Sequence, residues 1–361
     1  MSRIVAVAPV LPEHAYPQAA VAAHIAPLLS PDPVRQAVIT RLSAASGVDT
    51  RHFALPLEEY AGLRSFGQAN DLFITLGLDL AEEAVRQALK AAALGPDDID
   101  LIMFTSITGI SAPSLDALLV GRVGLRPDVK RIPVFGLGCV AGAAGLARLH
   151  DHLLGHPSDV ALLVSVELCS LTLQRDDGTL ANAVSCALFG DGATAVVVAG
   201  DERAVSATLP GPTIQATRSW LFPGTEDVLG WDVVDTGFRI VLAPTLPRLV
   251  ETALGPAVES FLGSQGLAVT DVAAWLAHSG GPRILDAVAR SIGLPPDALD
   301  LSRRALARTG NLSSSGVLHV LADALAGADH PPPPRGSPVV LLALGPGVST
   351  ELLLLRWEAL T

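Results

Sequence analysis

Three residues of this chain, Cys139, His278 and Asn311, are of the types that together carry out nucleophilic acyl chemistry. A thiolate attacks a carbonyl and holds the product as a thioester. An imidazole and a carboxamide donate hydrogen bonds to an oxygen as it gains negative charge. Each residue alone has an ordinary reading. Cysteine is often a buried structural residue, a lone histidine is commonly a satisfied polar group, and asparagine before a helix commonly caps it. The case rests on the three taken together.

Cys139 stands in RIPVFGLGCVAGAAGLARL, which reads as a buried strand, a glycine turn and a helix beginning at or just after the cysteine. A helix N-terminus favours the thiolate, so this position predicts a lowered thiol pKa. Gly138, Ala141, Gly142, Ala143 and Ala144 let neighbouring backbone pack close to the sulfur. His278 ends the strand in AAWLAHSGG, and the glycines after it open a helix. Asn311 lies in TGNLSSSGVLHVLADAL, at a helix start. Gly136, Gly138 and Gly142 superficially match a dinucleotide fingerprint. The third glycine is one place late and no ribose-binding acid follows at about 20 residues, so that reading is set aside.

The elements that must position these residues are written twice. GPDDIDLIMFTS and LDALLVGRVGLRPD fall within 95–128, and AVTDVAAWLAHSG and LDAVARSIGLPPD within 268–297. Each copy is an Asp-containing turn, a short apolar strand, and a helix closed by Gly-Leu and a proline turn. Leu115, Asp116 and Ala117 recur as Leu285, Asp286 and Ala287. The echo predicts a duplicated α/β fold of mostly parallel strands covered by helices, with Cys139 and Asn311 at nearly equivalent places in halves 1–210 and 211–361. Further strands are expected at 3–9, 131–136, 159–167, 193–199, 233–242, 338–344 and 350–356, and long helices at 69–93, 139–154 and 244–263. The turn-rich stretch 201–230 is expected to join the halves.

Composition bounds the rest. Half of the 361 residues are hydrophobic, 17% are charged, and 33 glycines and 27 prolines mark many turns, which fits a well-buried globular protein. A net charge of -12 repels polyanions, so nucleic acid is not an expected partner. The start is a poor signal peptide and no run reaches the ~18 apolar residues of a spanning helix, which gives a cytoplasmic reading. Three cysteines without a CxxC pair indicate neither a disulfide framework nor a zinc site. The run from His330 to Pro334 reads as an extended surface loop. His150, His152 and His156 of HDHLLGH could tempt a metal reading, but spacings of two and four do not bring all three to one helical face, and a solvated surface is expected.

GLGCVAGAAGL with Cys139, ALFGDGA at 187–193, WLAHSGG with His278, GNLSSSG with Asn311 and ALGPGVSTE at 343–351 jointly resemble the type III polyketide synthases, the chalcone-synthase-like branch of the thiolase fold. The resemblance runs from GVDTRHF near residue 47 to the last strands. It implies a layered αβαβα architecture, a homodimer, and acyl-CoA and malonyl-CoA as substrates, with no metal and no other cofactor. It further implies that Cys139 accepts the starter acyl group and pairs with His278. His278 and Asn311 would then stabilise the enolate of decarboxylating malonyl-CoA. Gly345, Pro346 and Gly347 would shape the site, and Ser313 falls where family members vary the cavity. The Ile107 to Pro113 loop resembles the segment that lines a dimer partner's cavity.

The chain departs from the family in places. Ser279 follows His278 where plant members have proline, and the approximate place of the aromatic gate holds Pro212 to Ile214. Of the basic residues that grip coenzyme A, Arg41 is in register, and Arg283, one turn beyond His278, could supply missing charge, or be a plain surface arginine. Few aromatics and segments rich in Gly, Ala, Ser and Leu predict a roomy apolar tunnel. Residues 223–242 resemble those of bacterial alkylpyrone and alkylresorcinol synthases, which implies a fatty acyl starter. The rival readings are a ketoacyl-carrier-protein synthase of the same fold, a Cys/His/Asn hydrolase of the papain type, and a non-catalytic scaffold.

Overall fold

The computed structural model describes residues 1–175, 177–203, 211–327 and 331–358. Its strands are β1 (Ser2–Val10), β2 (His14–Pro17), β3 (Thr50–Phe53), β4 (Leu101–Thr105), β5 (Lys130–Val134), β6 (Val160–Leu168), β7 (Asp191–Gly200), β8 (Thr213–Leu221), β9 (Leu229–Val234), β10 (Gly237–Leu242), β11 (Ala274–Ala277), β12 (Pro338–Gly345) and β13 (Ser349–Arg356). The helices are α1 (Gln18–Leu29), α2 (Pro33–Ala44), α3 (Phe66–Ala91), α4 (Leu115–Leu119), α5 (Ala141–Gly155), α6 (Leu180–Leu188), α7 (Leu246–Ser264), α8 (Pro282–Ile292), α9 (Asp300–Thr309) and α10 (Gly316–Ala326). None of them is long and apolar enough to cross a membrane.

Nine strands form one sheet in the order β11-β12-β13-β8-β1-β7-β6-β4-β5. The order is a near-palindrome about the β1/β8 seam: β4, β6, β7 and β1 answer to β11, β12, β13 and β8, with the same parallel or antiparallel sense in each step. Only β5 lacks a counterpart. The written echo is therefore a structural one. Its local device is repeated too: Asp98 Oδ2 accepts the Gly95 N–H and Asp271 Oδ2 the Ala268 N–H, both at 2.8 Å, in the turns that lead into β4 and β11. Asp116 and Asp286 each pair with an arginine, Arg131 at 3.3 Å and Arg303 at 2.8 Å.

Side-chain alternation along the strands sorts the core into layers. Ile102 and Phe104 of β4 pack outward against α3, whereas Leu101 and Met103 face a middle core shared with α5 and α10. In β12, Val339, Leu341 and Ala343 join that same middle core, and Val340, Leu342 and Leu344 face α7 and α8. Helices thus lie between the two sheet halves and outside both, which is the αβαβα layering. The middle layer is tight: a Cβ on Gly142 of α5 would lie 2.1 Å from the Ser314 carbonyl oxygen.

Three expectations need correction. Among the described residues parallel pairing is confined to β4–β5, β4–β6 and β11–β12; β12 and β13, for example, are joined by a turn too short for the crossover a parallel pair requires and run antiparallel. The single strand expected at 233–242 is the β9–β10 hairpin, broken at Gly237, whose φ is 120°. The stretch 201–230 contains β8, a full sheet strand. The expected boundary at 210 falls on 204–210, outside the described residues, as does His330 of the proline run.

Candidate active site

The turn Gly138–Val140 carries Cys139 into α5, the middle-layer helix. Gly138 has φ 55°, and a Cβ there would lie 2.6 Å from the Pro346 ring, so glycine is needed for both conformation and space. A Cβ on Gly345 would likewise meet Val140 at 2.8 Å. The Gly345, Pro346, Gly347 turn therefore presses directly on the cysteine turn. Cys139 Sγ lies 3.5 Å from Ser313 Oγ.

His278 follows β11, its backbone N–H held by the Leu342 carbonyl at 2.9 Å. The imidazole packs against Gly316, where a Cβ would lie 3.1 Å from Nδ1; that nitrogen is buried without a hydrogen-bond partner. Asn311 is fixed by its backbone, which pairs with Leu188 at 2.8 Å and Gly190 at 3.0 Å. Its Oδ1 accepts the Ser313 N–H at 2.8 Å and its Nδ2 donates to the Gly280 carbonyl at 3.4 Å. An amide nitrogen carries two hydrogens, so one N–H of Asn311 is left for a ligand. Ser313 itself sits at φ 49°, an uncommon conformation for serine that the Asn311 side chain helps to hold.

The electrostatics differ from the sequence expectation. Burial pushes the Cys139 thiol up to about 12, with the nearby Glu167 carboxylate adding to the rise and the Ser313 hydrogen bond opposing it. Burial also lowers His278 to about 4. Burial thus favours the neutral form of both the thiol and the imidazole. The expected lowering of the thiol is reversed, because desolvation outweighs the helix-end field. The sulfur meets the Ser313 hydroxyl where His278 was the expected partner. Cys186 is likewise raised to about 12 and Cys169 is raised as well, so acidity does not single out one cysteine. Placement does: Cys139 is the cysteine facing the 311–316 turn.

Sequence reasoning missed Glu167. It is fully buried on β6 and accepts hydrogen bonds from Ile107 N at 3.2 Å, Thr108 Oγ1 at 3.0 Å, Ser314 N at 3.3 Å and Ser314 Oγ. Burial raises its pKa. A buried carboxylate without such donors would be strongly destabilising, and here the donors come from both halves, tying the Ser313–Ser315 turn to the loop after β4. The available signal was a single acid in the apolar strand VALLVSVEL.

A separate cavity of about 30 Å³ is lined by none of Cys139, His278 and Asn311. Its walls include Cys169 and the aromatic residues Phe53, Tyr60, Phe189, Trp231 and Phe238. At about 10–15 Å³ per water it has room for roughly two. Few aromatics overall did not prevent five from converging on this cavity. Of Pro212 to Ile214, the approximate gate position, Pro212 precedes β8 and accepts the Ile4 N–H at 3.0 Å, while Thr213 begins the strand and Ile214 is in the middle core. Arg41 on α2 and Arg283 in the first turn of α8 are exposed and form no ion pair with a described residue.

Residues 1–202 match the family model described as chalcone and stilbene synthases, N-terminal domain, and residues 213–358 match the corresponding C-terminal domain. The chain is 53% identical over 354 residues to a 1,3,6,8-tetrahydroxynaphthalene synthase of Streptomyces peucetius subsp. caesius, covering 98% of this chain and 93% of that protein. It is 32% identical over 353 residues to a phloroglucinol synthase of Pseudomonas fluorescens, covering 96% and 97%. The solved structure of 1,3,6,8-tetrahydroxynaphthalene synthase from Streptomyces coelicolor A3(2), a bacterial type III polyketide synthase, superposes with a TM-score of 0.92 at 31% identity, covering 99% of this chain and all of that one. With both halves matched and the thiolase-type layering in place, the chain belongs to the type III polyketide synthases, acyl-transferring condensing enzymes that work on coenzyme A thioesters.

Proposed function

We propose that this enzyme builds a polyhydroxylated aromatic product from malonyl-CoA units alone, with Cys139 as the acyl carrier. In the loading step the Cys139 sulfur attacks the starter thioester. A new carbon–sulfur bond forms, the bond to coenzyme A breaks, and the displaced thiol leaves with the proton that Cys139 gives up. In extension, malonyl-CoA loses carbon dioxide, and the enolate oxygen that remains is stabilised by His278 and the free N–H of Asn311. The enolate carbon then attacks the Cys139 thioester carbonyl: a carbon–carbon bond forms, the carbon–sulfur bond to Cys139 breaks, and the lengthened chain, now on coenzyme A, returns to the freed sulfur by the same exchange as in loading. Ser313 and the Gly345, Pro346, Gly347 turn set the space around the sulfur, and the exposed cations Arg41 and Arg283 are suited to the coenzyme A phosphates.

What supports the choice of malonyl-CoA over a fatty acyl starter is the 53% identity over 354 residues to a 1,3,6,8-tetrahydroxynaphthalene synthase. A fatty acyl starter, the expectation from residues 223–242, needs a long channel. That same segment forms β9 and β10, a short hairpin. A 1,3,6,8-tetrahydroxynaphthalene skeleton carries oxygen on alternate carbons, the pattern left by successive two-carbon units, which fits extension from malonyl-CoA throughout. Purified enzyme given malonyl-CoA alone is expected to yield an aromatic polyketide by mass analysis, with no gain in turnover when long-chain acyl-CoA is added. A product that incorporates the fatty acyl chain in preference would overturn the reading.

The homodimer also stands as a proposal. β5 ends the sheet without a partner on its outer side, and its neighbourhood exposes Ile110, Ile132, Phe135 and Leu137. An apolar sheet edge of this kind is a liability unless covered. Sedimentation is expected to give a dimer that Ile132→Glu converts to monomer; an active monomeric wild type would remove the claim.

A further inference from the structure

The histidines of HDHLLGH part company in the fold. His150 turns inward, buried, with Nδ1 2.9 Å from Ser2 Oγ. His152 and His156, four residues apart, instead stack ring on ring at the C-terminal end of α5, with centroids 4.3 Å apart and planes 10° from parallel. Asp159, at the entry to β6, closes the turn with its N–H on the His156 carbonyl at 3.0 Å and brings Oδ2 to 3.0 Å from His152 Nε2. One donor atom from each of the three lies within 4.8 Å of the others. The spacing argument that three histidines cannot share a face holds, but an aspartate supplied by the following turn completes a set it did not consider.

We propose that His152, His156 and Asp159 bind one divalent transition-metal ion of the zinc class. Two imidazoles and one carboxylate suit Zn²⁺, Co²⁺, Ni²⁺ or Cu²⁺ rather than the oxygen-seeking Mg²⁺ and Ca²⁺. His156 Nδ1 donates to the His152 carbonyl at 3.1 Å, which fixes its tautomer and leaves the Nε2 lone pair for a metal, the arrangement that orients ligating histidines generally. His152 binds through Nε2 once the proton it shares with Asp159 moves to Nδ1. Bonds of about 2.0–2.2 Å require the donors to draw together by about 1 Å, a side-chain rotation at a partly exposed site, with water filling the remaining positions. The negative end of the α5 dipole favours a cation here. Lys130, whose Nζ lies 3.7 Å from Asp159 Oδ2, is the competing cation and must swing away.

The site lies at the opposite end of α5 from Cys139, about 20 Å by helix rise, so it serves as a clamp between α5 and β6 and not in condensation. Enzyme stripped with a chelator is titrated with Co²⁺. One equivalent is expected to bind with the visible absorption of a nitrogen- and oxygen-ligated ion and no thiolate charge-transfer band. His156→Ala and Asp159→Asn are each expected to weaken binding at least 10-fold while malonyl-CoA consumption is unchanged, and Lys130→Ala to strengthen it. Equal Co²⁺ affinity in wild type and His156→Ala, a thiolate band, or no binding by the active wild type would each overturn the proposal.

Discussion

Cys139→Ala is expected to abolish acyl loading and all chain extension while malonyl-CoA decarboxylation continues. The substitution removes the acyl acceptor but leaves His278 and Asn311, which the proposed mechanism places at the enolate oxygen. Intact-protein mass spectrometry reports the acyl adduct, and acetyl-CoA release reports decarboxylation. Because burial raises all three thiols, the test also asks whether position rather than acidity selects the nucleophile. Robust acylation of the variant at Cys169 or Cys186 would show that the wrong sulfur has been assigned.

Asn311→Ala is expected to do the reverse, lowering malonyl-CoA decarboxylation by ~100 to 1,000-fold, the usual cost of one oxyanion donor, while Cys139 remains able to accept an acyl group. The structure adds a complication and its control. The Asn311 Oδ1 also holds the Ser313 N–H, and the Ser313 hydroxyl in turn meets the sulfur. Asn311→Asp keeps that acceptor, replaces the donor with an oxygen and adds a negative charge, so it should lose decarboxylation at least to the same degree. If Asn311→Asp retains wild-type decarboxylation, the side chain acts by positioning Ser313 and not at the enolate.

Much of this architecture was legible in the sequence because the duplicated signals are local and physical. The aspartates at 98 and 271 cap turns, the apolar runs after them have one plausible fate, and Gly138 before a cysteine marks a turn that tolerates no side chain. β8 was missed since Gln215, Thr217, Arg218 and Ser219 mask its strand character with partly exposed polar residues. The acidity of Cys139 was misjudged for a different reason: the helix end is written beside it, whereas the apolar surroundings that desolvate it come from segments far away in the chain. Glu167 was visible as an oddity, but its partners at 106–108 and 314 could be known only from the fold.

The turns at Gly138–Val140 and Ser313–Ser315 each feed a middle-layer helix, and they meet across the centre of the molecule. In a symmetric pair of identical chains, two such meeting turns would carry the same residues, since an isologous contact repeats itself. A sulfur would then face a sulfur, or a serine a serine. Writing both copies into one polypeptide removes that constraint: one turn is free to keep the Cys139 sulfur while its twin is rebuilt around Asn311 and Ser313. The near-palindrome of the sheet is thus also the source of the asymmetry that chemistry between unlike groups demands.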